Sequence, residues 1–148
     1  MSATRPREQA VGGLQDAVSA FSAALRRLRA RDFRRGGLSL AQWHLVRSLA
    51  EHDQMPAGRL AADAGLTPAT VTQTLDALAA AGLVERLRSS TDRRVTLNRL
   101  TPAGRERFAE KHAEIQRRWS EALADVPAEQ LEQAAEVLRR MSTVLDDL

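Results

Sequence analysis

The sequence predicts a mainly α-helical chain that carries one small β-hairpin. Three observations lead there. Apolar residues recur at spacings of three and four over most of the 148 positions. Two helical stretches meet at a glycine corner, Gly65, followed by Thr67-Pro68. Directly after them, two strand-like runs, Leu83 to Arg88 and Val95 to Leu100, bracket a polar turn.

Taken in order, residues 1 to about 8 are polar, contain a proline and are expected to be loose. Val11, Leu14, Val18, Phe21, Leu25 and Leu28 then mark one face of a helix over 9–35, which Gly36-Gly37 stops. Ser39 with Gln42 three residues later is a capping box, opening a helix whose Leu40, Trp43, Val46 and Ala50 share a face. A short break at Asp53 to Pro56 follows. Arg59 to Ala64 reads as a short helix ended by Gly65. Thr67-Pro68, an N-cap with proline at the first helical position, begins a second helix that runs to Ala81. Leu60, Leu66, Val71, Leu75 and Leu78 are spaced to fill the angle between these two, which makes a helix-turn-helix. Gly82 caps the second helix and the hairpin follows at once, the order of a winged helix-turn-helix. Thr101-Pro102 starts a long helix striped by Phe108, His112, Ile115, Trp119, Ala122 and Val126, and Pro127 starts another with Leu131, Ala135, Leu138, Met141, Leu145 and Leu148.

The expected organisation is a winged helix-turn-helix over 38–101, flanked by helical dimerisation regions at 9–35 and 102–148, in a single intertwined domain. The flanking stripes are too long for a small winged module to bury, which predicts a homodimer.

Composition narrows the chemistry. No cysteine is present, which excludes disulfides, thiolate metal sites and cysteine nucleophiles. The longest apolar run, Leu78 to Val84, is far short of the ~20 residues that cross a bilayer, and no signal peptide is apparent, so no membrane partner and a cytoplasmic location are expected. Of 22 basic residues only Lys111 is lysine, and the formal net charge is +3. Arginines cluster at Arg26–Arg35 and Arg86–Arg107, whereas acids dominate from Glu121 onward. This asymmetry suits a polyanion-binding middle, although runs of this kind also occur as solvated helix faces. No glycine-rich phosphate loop, His-Glu-x-x-His or Gly-x-Ser-x-Gly is found, so no catalytic residue, enzyme activity or cofactor is assigned.

The residues expected to touch double-stranded DNA follow from the module. Thr67, Pro68, Ala69, Thr70, Thr72 and Gln73 occupy the start and outward face of the second helix. Glutamine can pair with adenine, alanine can meet a thymine methyl, and threonines suit bases or phosphates. That helix has no Arg or Lys, and its Asp76 is expected to point away from DNA. Arg86 on the first strand and Asp92, Arg93 and Arg94 at the hairpin tip complete the set. An arginine on a protruding hairpin can enter the electronegative minor groove, with a nearby carboxylate holding its guanidinium. The plainer alternative is an exposed turn whose charges satisfy one another.

From Thr67 to Thr101, the residues Leu78, Gly82-Leu83-Val84, Asp92-x-Arg94 and Leu100-Thr101, with Gly104 beyond, resemble the MarR family of bacterial transcriptional regulators. The resemblance implies a dimeric winged helix-turn-helix that binds a pseudo-palindromic operator, usually as a repressor released by small ligands. It implies that Arg94 enters the minor groove and that Asp92 orients it. Asn98 stands where the family is usually apolar and is expected to make the return strand less regular. Relatives also imply an interhelical ligand cleft, here lined by Trp43, His44, Arg47, Phe108 and His112, whose aromatic wall and guanidinium suit a small aromatic or carboxylate ligand. Alternatively Trp43 and Phe108 pack as core and His112 is a satisfied core histidine. A zinc-responsive variant of the fold would use His44 and His112, but three histidines in the whole chain fall short of the usual four ligands, and no metal site is assigned. A helical protein-interaction domain without DNA binding is the remaining alternative, and it leaves the arginine-tipped hairpin unexplained.

Overall fold

The computed structural model describes residues 4–32 and 37–146. Six helices and three strands follow in the order α1 (Thr4–Asp32), α2 (Leu40–His52), β1 (Gln54–Pro56), α3 (Ala57–Ala64), α4 (Pro68–Ala80), β2 (Val84–Arg88), β3 (Thr96–Leu100), α5 (Pro102–Ala122) and α6 (Ala128–Asp146). The chain divides into two compact units, Met1–Phe108 and Ala109–Leu148.

The local signals act as expected at most boundaries. Ser39 accepts from the Gln42 N–H while the Gln42 side chain accepts from the Ser39 N–H, closing the capping box at 3.1 and 2.8 Å. Gly65 ends α3 at φ 59°, where an L side chain would be strained. Gly82 has φ 72°, and the Leu83 N–H reaches back to the Leu78 carbonyl at 2.9 Å, closing the end of α4. α1 begins at Thr4 rather than near residue 9. Pro6 does not prevent this, because a first-turn residue has no intrahelical acceptor for an N–H in any case. The predicted end of this helix at Arg35 and Gly36 lies outside the described residues.

The stretch from Asp53 to Pro56, expected as a break, contains β1. Asp53 turns the chain with φ 62°, and β1 then pairs antiparallel with β3. The sheet is three-stranded in the order β1-β3-β2, so the hairpin's return strand is its centre. Asn98 does not loosen that strand. Pairing runs without interruption from Val84 opposite Leu100 to Arg88 opposite Thr96, and Asn98 lies mid-strand between Arg86 and Met55. The buried Asn98 amide donates from Nδ2 to the Met55 carbonyl at 3.2 Å, tying the two outer strands' shared neighbour to β1, while its Oδ1 is buried without a partner.

The core of the first unit comprises Leu45, Val46 and Leu49 of α2, Met55 of β1, Leu60 of α3, Val71, Leu75 and Leu78 of α4, and Val84 and Leu100 of the sheet. In α2 the fully buried positions are Leu45, Val46 and Leu49, whereas Leu40 and Ala50 of the predicted stripe are half-buried. The shift arises because α2 packs against α3, α4 and the sheet together, not against one flat neighbour. α5 enters against the sheet at Gly104. A Cβ there would overlap the Leu83 carbonyl oxygen and crowd Leu100.

In the second unit, α5 continues and α6 follows, with no α6 side chain buried. These helices are laced by local ion pairs: Glu114 with Lys111 (3.2 Å) and Arg118 (2.8 Å), and Glu136 with Arg140 (2.8 Å) and Arg139 (3.0 Å). Hydrogen bonds from Arg140 and then Arg139 hold the Glu136 carboxyl below its ordinary pKa. Among the described residues no helix is long and apolar enough to cross a membrane.

Gly104→Ala is expected to lower unfolding stability by about 1–3 kcal/mol, the range for forcing extra volume into a packed contact. Urea denaturation checks this, with Gly58→Ala, where a Cβ meets open space, as the comparison.

Candidate nucleic-acid interface

α4 presents two faces. Val71, Thr74, Leu75 and Leu78 are buried, and Ala69, Thr72, Gln73 and Asp76 are exposed along the opposite side, with Pro68 at its N-terminal end. The helix start is held by Thr67, whose Oγ1 accepts from the Thr70 N–H at 3.2 Å and lies 2.9 Å from the Thr70 hydroxyl. Thr70 is therefore half-buried and engaged in the cap, whereas Thr72, whose hydroxyl donates to the Pro68 carbonyl at 3.0 Å, remains on the surface. Thr74 turns its hydroxyl back to the Thr70 carbonyl at 2.7 Å, which satisfies it within the core.

Asp76 does not turn away from this face. It lies between Thr72 and Gln73 in helical projection, and its charge is met by Arg86 of β2, with Nη2 to Oδ1 at 2.6 Å. Nothing local in sequence signals a pair whose members lie ten positions apart on a helix and a strand.

The turn joining β2 to β3 is organised by its own polar groups. Ser89 Oγ accepts from the N–H groups of Thr91 and Asp92 at 3.3 Å, and the Val95 N–H donates to the Asp92 carbonyl at 3.0 Å. Asp92 Oδ1 accepts from the Arg94 backbone N–H at 2.9 Å. The aspartate thus fixes the Arg94 main chain. Among the described residues no carboxylate pairs with the guanidinium of Arg93 or Arg94, and both side chains are exposed at the tip. The mutually satisfied turn is not what forms; its backbone is satisfied and its two cations remain available.

The wing's base is locked to the end of α4. The Thr101 N–H donates to the Leu83 carbonyl at 3.1 Å, its Oγ1 donates to the Gly82 carbonyl at 2.7 Å, and the same oxygen accepts from the Gly104 N–H at 3.1 Å, capping α5. On the outer side of the sheet, Arg99 pairs with Glu85 at 2.6 Å.

A two-helix corner followed at once by an arginine-tipped hairpin is the geometry of a winged helix-turn-helix, and comparison with known proteins agrees. Residues 38–96 match the model of the MarR family. HTH-type transcriptional regulator YdgJ of Bacillus subtilis, itself uncharacterized, is 34% identical over 112 residues, spanning 76% of this chain and 68% of that protein. This chain belongs to the MarR family. Transcriptional regulator BldR of Sulfolobus solfataricus has a similar structure, with a TM-score of 0.70 and 25% identity over 95% of this chain and 99% of that one. A mutant MarR from E. coli, solved in complex with operator DNA, shares the fold at a TM-score of 0.72 and 20% identity, over 89% and 95% of the two chains.

The residues expected to line a MarR ligand cleft do not behave as one set. Trp43 is buried and stacks on Phe108, with ring centroids 5.3 Å apart and planes 17° from parallel, so both rings serve the core. His44 and Arg47 instead border a polar cavity of about 280 Å³ with Ser48, Glu51, Asp63 and Ala64, at the junction of α2 and α3. Arg47 is paired there with Glu51 at 2.9 Å. Glu51 shares the face of α2 with His44 at seven-residue spacing, whereas Asp63 comes from another helix and is not legible as a neighbour from sequence. His112 is exposed and falls in the second unit, so it is not a core histidine. Among the described residues no group of three or more His, Asp or Glu could hold a metal ion.

Thr67→Ala is expected to lower stability by about 1 kcal/mol through loss of the α4 cap, and Thr67→Ser to restore most of it. Thermal and chemical unfolding of the two variants measure the difference.

Proposed function

We propose that this MarR-family regulator acts as a homodimeric repressor that occupies a pseudo-palindromic operator in double-stranded DNA. The observation that carries the reading is the pairing of a recognition helix that itself bears no Arg or Lys with two unpaired guanidinium groups, Arg93 and Arg94, on an ordered hairpin beside it. Thr72, Gln73 and Ala69 face the major groove, with Thr67 and Pro68 at the helix entry. The wing arginines enter the adjacent minor groove, where the potential is most negative. Phosphate attraction then comes from outside α4, and binding falls steeply with added salt.

Two copies are required because one recognition helix reads only a half-site, and a two-fold dimer places its helices about 34–36 Å apart in successive major grooves. Support for a second copy lies in apolar side chains that this chain leaves uncovered. On α1 these are Val11, Phe21, Leu25 and Leu28; on α6 they are Leu131, Leu138 and Leu145 at seven-residue intervals. A small effector would release the operator by favouring another spacing of the two half-site readers, which requires unequal affinity for the two states. The cavity beside His44 has two carboxylates against one guanidinium that is already paired. That charge balance favours an effector bearing a cationic group over a simple carboxylate.

Fluorescence anisotropy on operators selected from bound genomic fragments tests this. Arg94→Ala is expected to weaken binding roughly 10- to 100-fold, the value of a charge-assisted hydrogen bond, with the melting temperature nearly unchanged. Wild-type affinity unaltered by Arg94→Ala, or insensitive to salt, would remove the wing from the reading. Sedimentation should give the mass of two chains at micromolar concentration, and Leu138→Glu should shift it toward one. A monomeric wild type defeats the two-half-site arrangement.

A further inference from the structure

The recognition helix contains no Arg or Lys, yet its outward face is not without a cation. Arg86 projects from the middle of β2 and reaches Asp76, which lies at the centre of the exposed face of α4 between Thr72 and Gln73. Arg86 and Asp76 are both largely exposed, with side-chain exposures of 43% and 60%, so the pair is not a core lock. Exposed pairs of this kind contribute little to stability. What the contact does fix is direction. One Nη of a planar guanidinium is held by a carboxylate, which leaves the remaining N–H groups pointing along a set line.

We infer that Arg86 is the guanine reader of this protein and that Asp76 is its positioning residue. The proposal deepens the operator-binding reading and rests on it. Arginine to guanine O6 and N7 is the commonest specific base contact, and it needs a fork held in a defined orientation. A phosphate contact needs no such pinning and gains most from an unneutralised charge. A guanidinium already neutralised by Asp76 releases few counterions, so the pair is poorly suited to phosphate and well suited to a base edge. The arrangement also accounts for an acidic residue on a surface that approaches a polyanion: its charge is cancelled from the wing strand. The reader comes from β2 because the helix positions around Asp76 are Thr, Gln and Ala, none of which can make a bidentate donor contact to guanine.

The test is a panel of operators carrying every single base-pair substitution, measured with wild type, Arg86→Lys, Arg86→Gln and Asp76→Asn at several salt concentrations. Wild type should show one G·C pair per half-site whose replacement weakens binding roughly 10- to 100-fold. Arg86→Gln should lose that discrimination, binding the substituted and original operators within about twofold, and Arg86→Lys should keep only part of it, while discrimination elsewhere persists. Asp76→Asn, which leaves Arg86 in place but unpinned, should erode discrimination at the same base pair and nowhere else. If Arg86→Gln weakens all operators equally and lowers the salt slope by about one, with Arg86→Lys restoring both, Arg86 is a phosphate contact and the proposal is overturned. It is overturned as well if Asp76→Asn leaves the specificity profile unchanged. Loss of sequence-selective binding by wild type would instead defeat the operator-binding reading beneath it.

Discussion

The place where a side chain on Gly104 would go is filled by the carbonyl oxygen of Leu83, and the position of the wing depends on that close approach. Leu83 leaves α4 through the left-handed turn at Gly82, and Thr101 closes the other side of the junction with bonds to both the Gly82 and Leu83 carbonyls. Four chain segments therefore meet at one hydrogen-bonded knot: the end of α4, the start of β2, the end of β3 and the start of α5. The Gly82 and Leu83 carbonyls both have donors there, and the cap of α5 shares an oxygen with the clasp on α4. A hairpin so anchored cannot swing independently of the recognition helix at its base. Its tip can only move as the strands themselves bend.

That rigidity gives meaning to the distribution of charge. Along β2 and β3 the arginines are treated differently according to place. Arg99 is paired with Glu85 on the outer side of the sheet, Arg86 is paired with Asp76 on the face of α4, and Arg93 and Arg94 at the tip are left without carboxylates. Asp92, the one acid at the tip, gives its hydrogen bond to a backbone N–H, so it shapes the turn without quenching the guanidinium groups. Net charge therefore understates the field at the wing, because Arg93 and Arg94 stand together at the hairpin tip with no carboxylate pairing them among the described residues.

Much of this was legible from residue types alone. Caps at Ser39, Thr67 and Thr101, the glycine stops at Gly65 and Gly82, and the hairpin around residues 89–94 are governed by local chemistry, so a single sequence displays them. What escaped is non-local. β1 is three residues long and carries no alternation to detect; it exists because Met55 and its neighbours pair with β3, more than forty positions away. Asn98 is out of place in the strand on residue type alone, and it is β1 that supplies the Met55 carbonyl for its amide. The same limit affects the site. Outward positions of α4 follow from helical period, but the Asp76 partnership requires knowing which strand residue lies beside the helix. Trp43 and Phe108 have the composition of a ligand wall, and their stacking on one another joins two helices that a single sequence does not place side by side.

The two units differ in what sustains them. The first has a core to which seven elements contribute, and its helices α2 to α4 bury an apolar face within the chain. α6 buries none, and α1 leaves Phe21, Leu25 and Leu28 in water. Local ion pairs such as those around Glu136 are solvent-exposed and contribute little, and most helical stability in proteins comes from packing an apolar face rather than from propensity. A nineteen-residue helix with leucines every seventh position and no buried side chain gains its stability chiefly when another helix covers that stripe. On the proposed reading the covering surface belongs to a second copy. Folding of the terminal helices and self-association are then one process, and the spacing of the two half-site readers is set by contacts that also complete the fold.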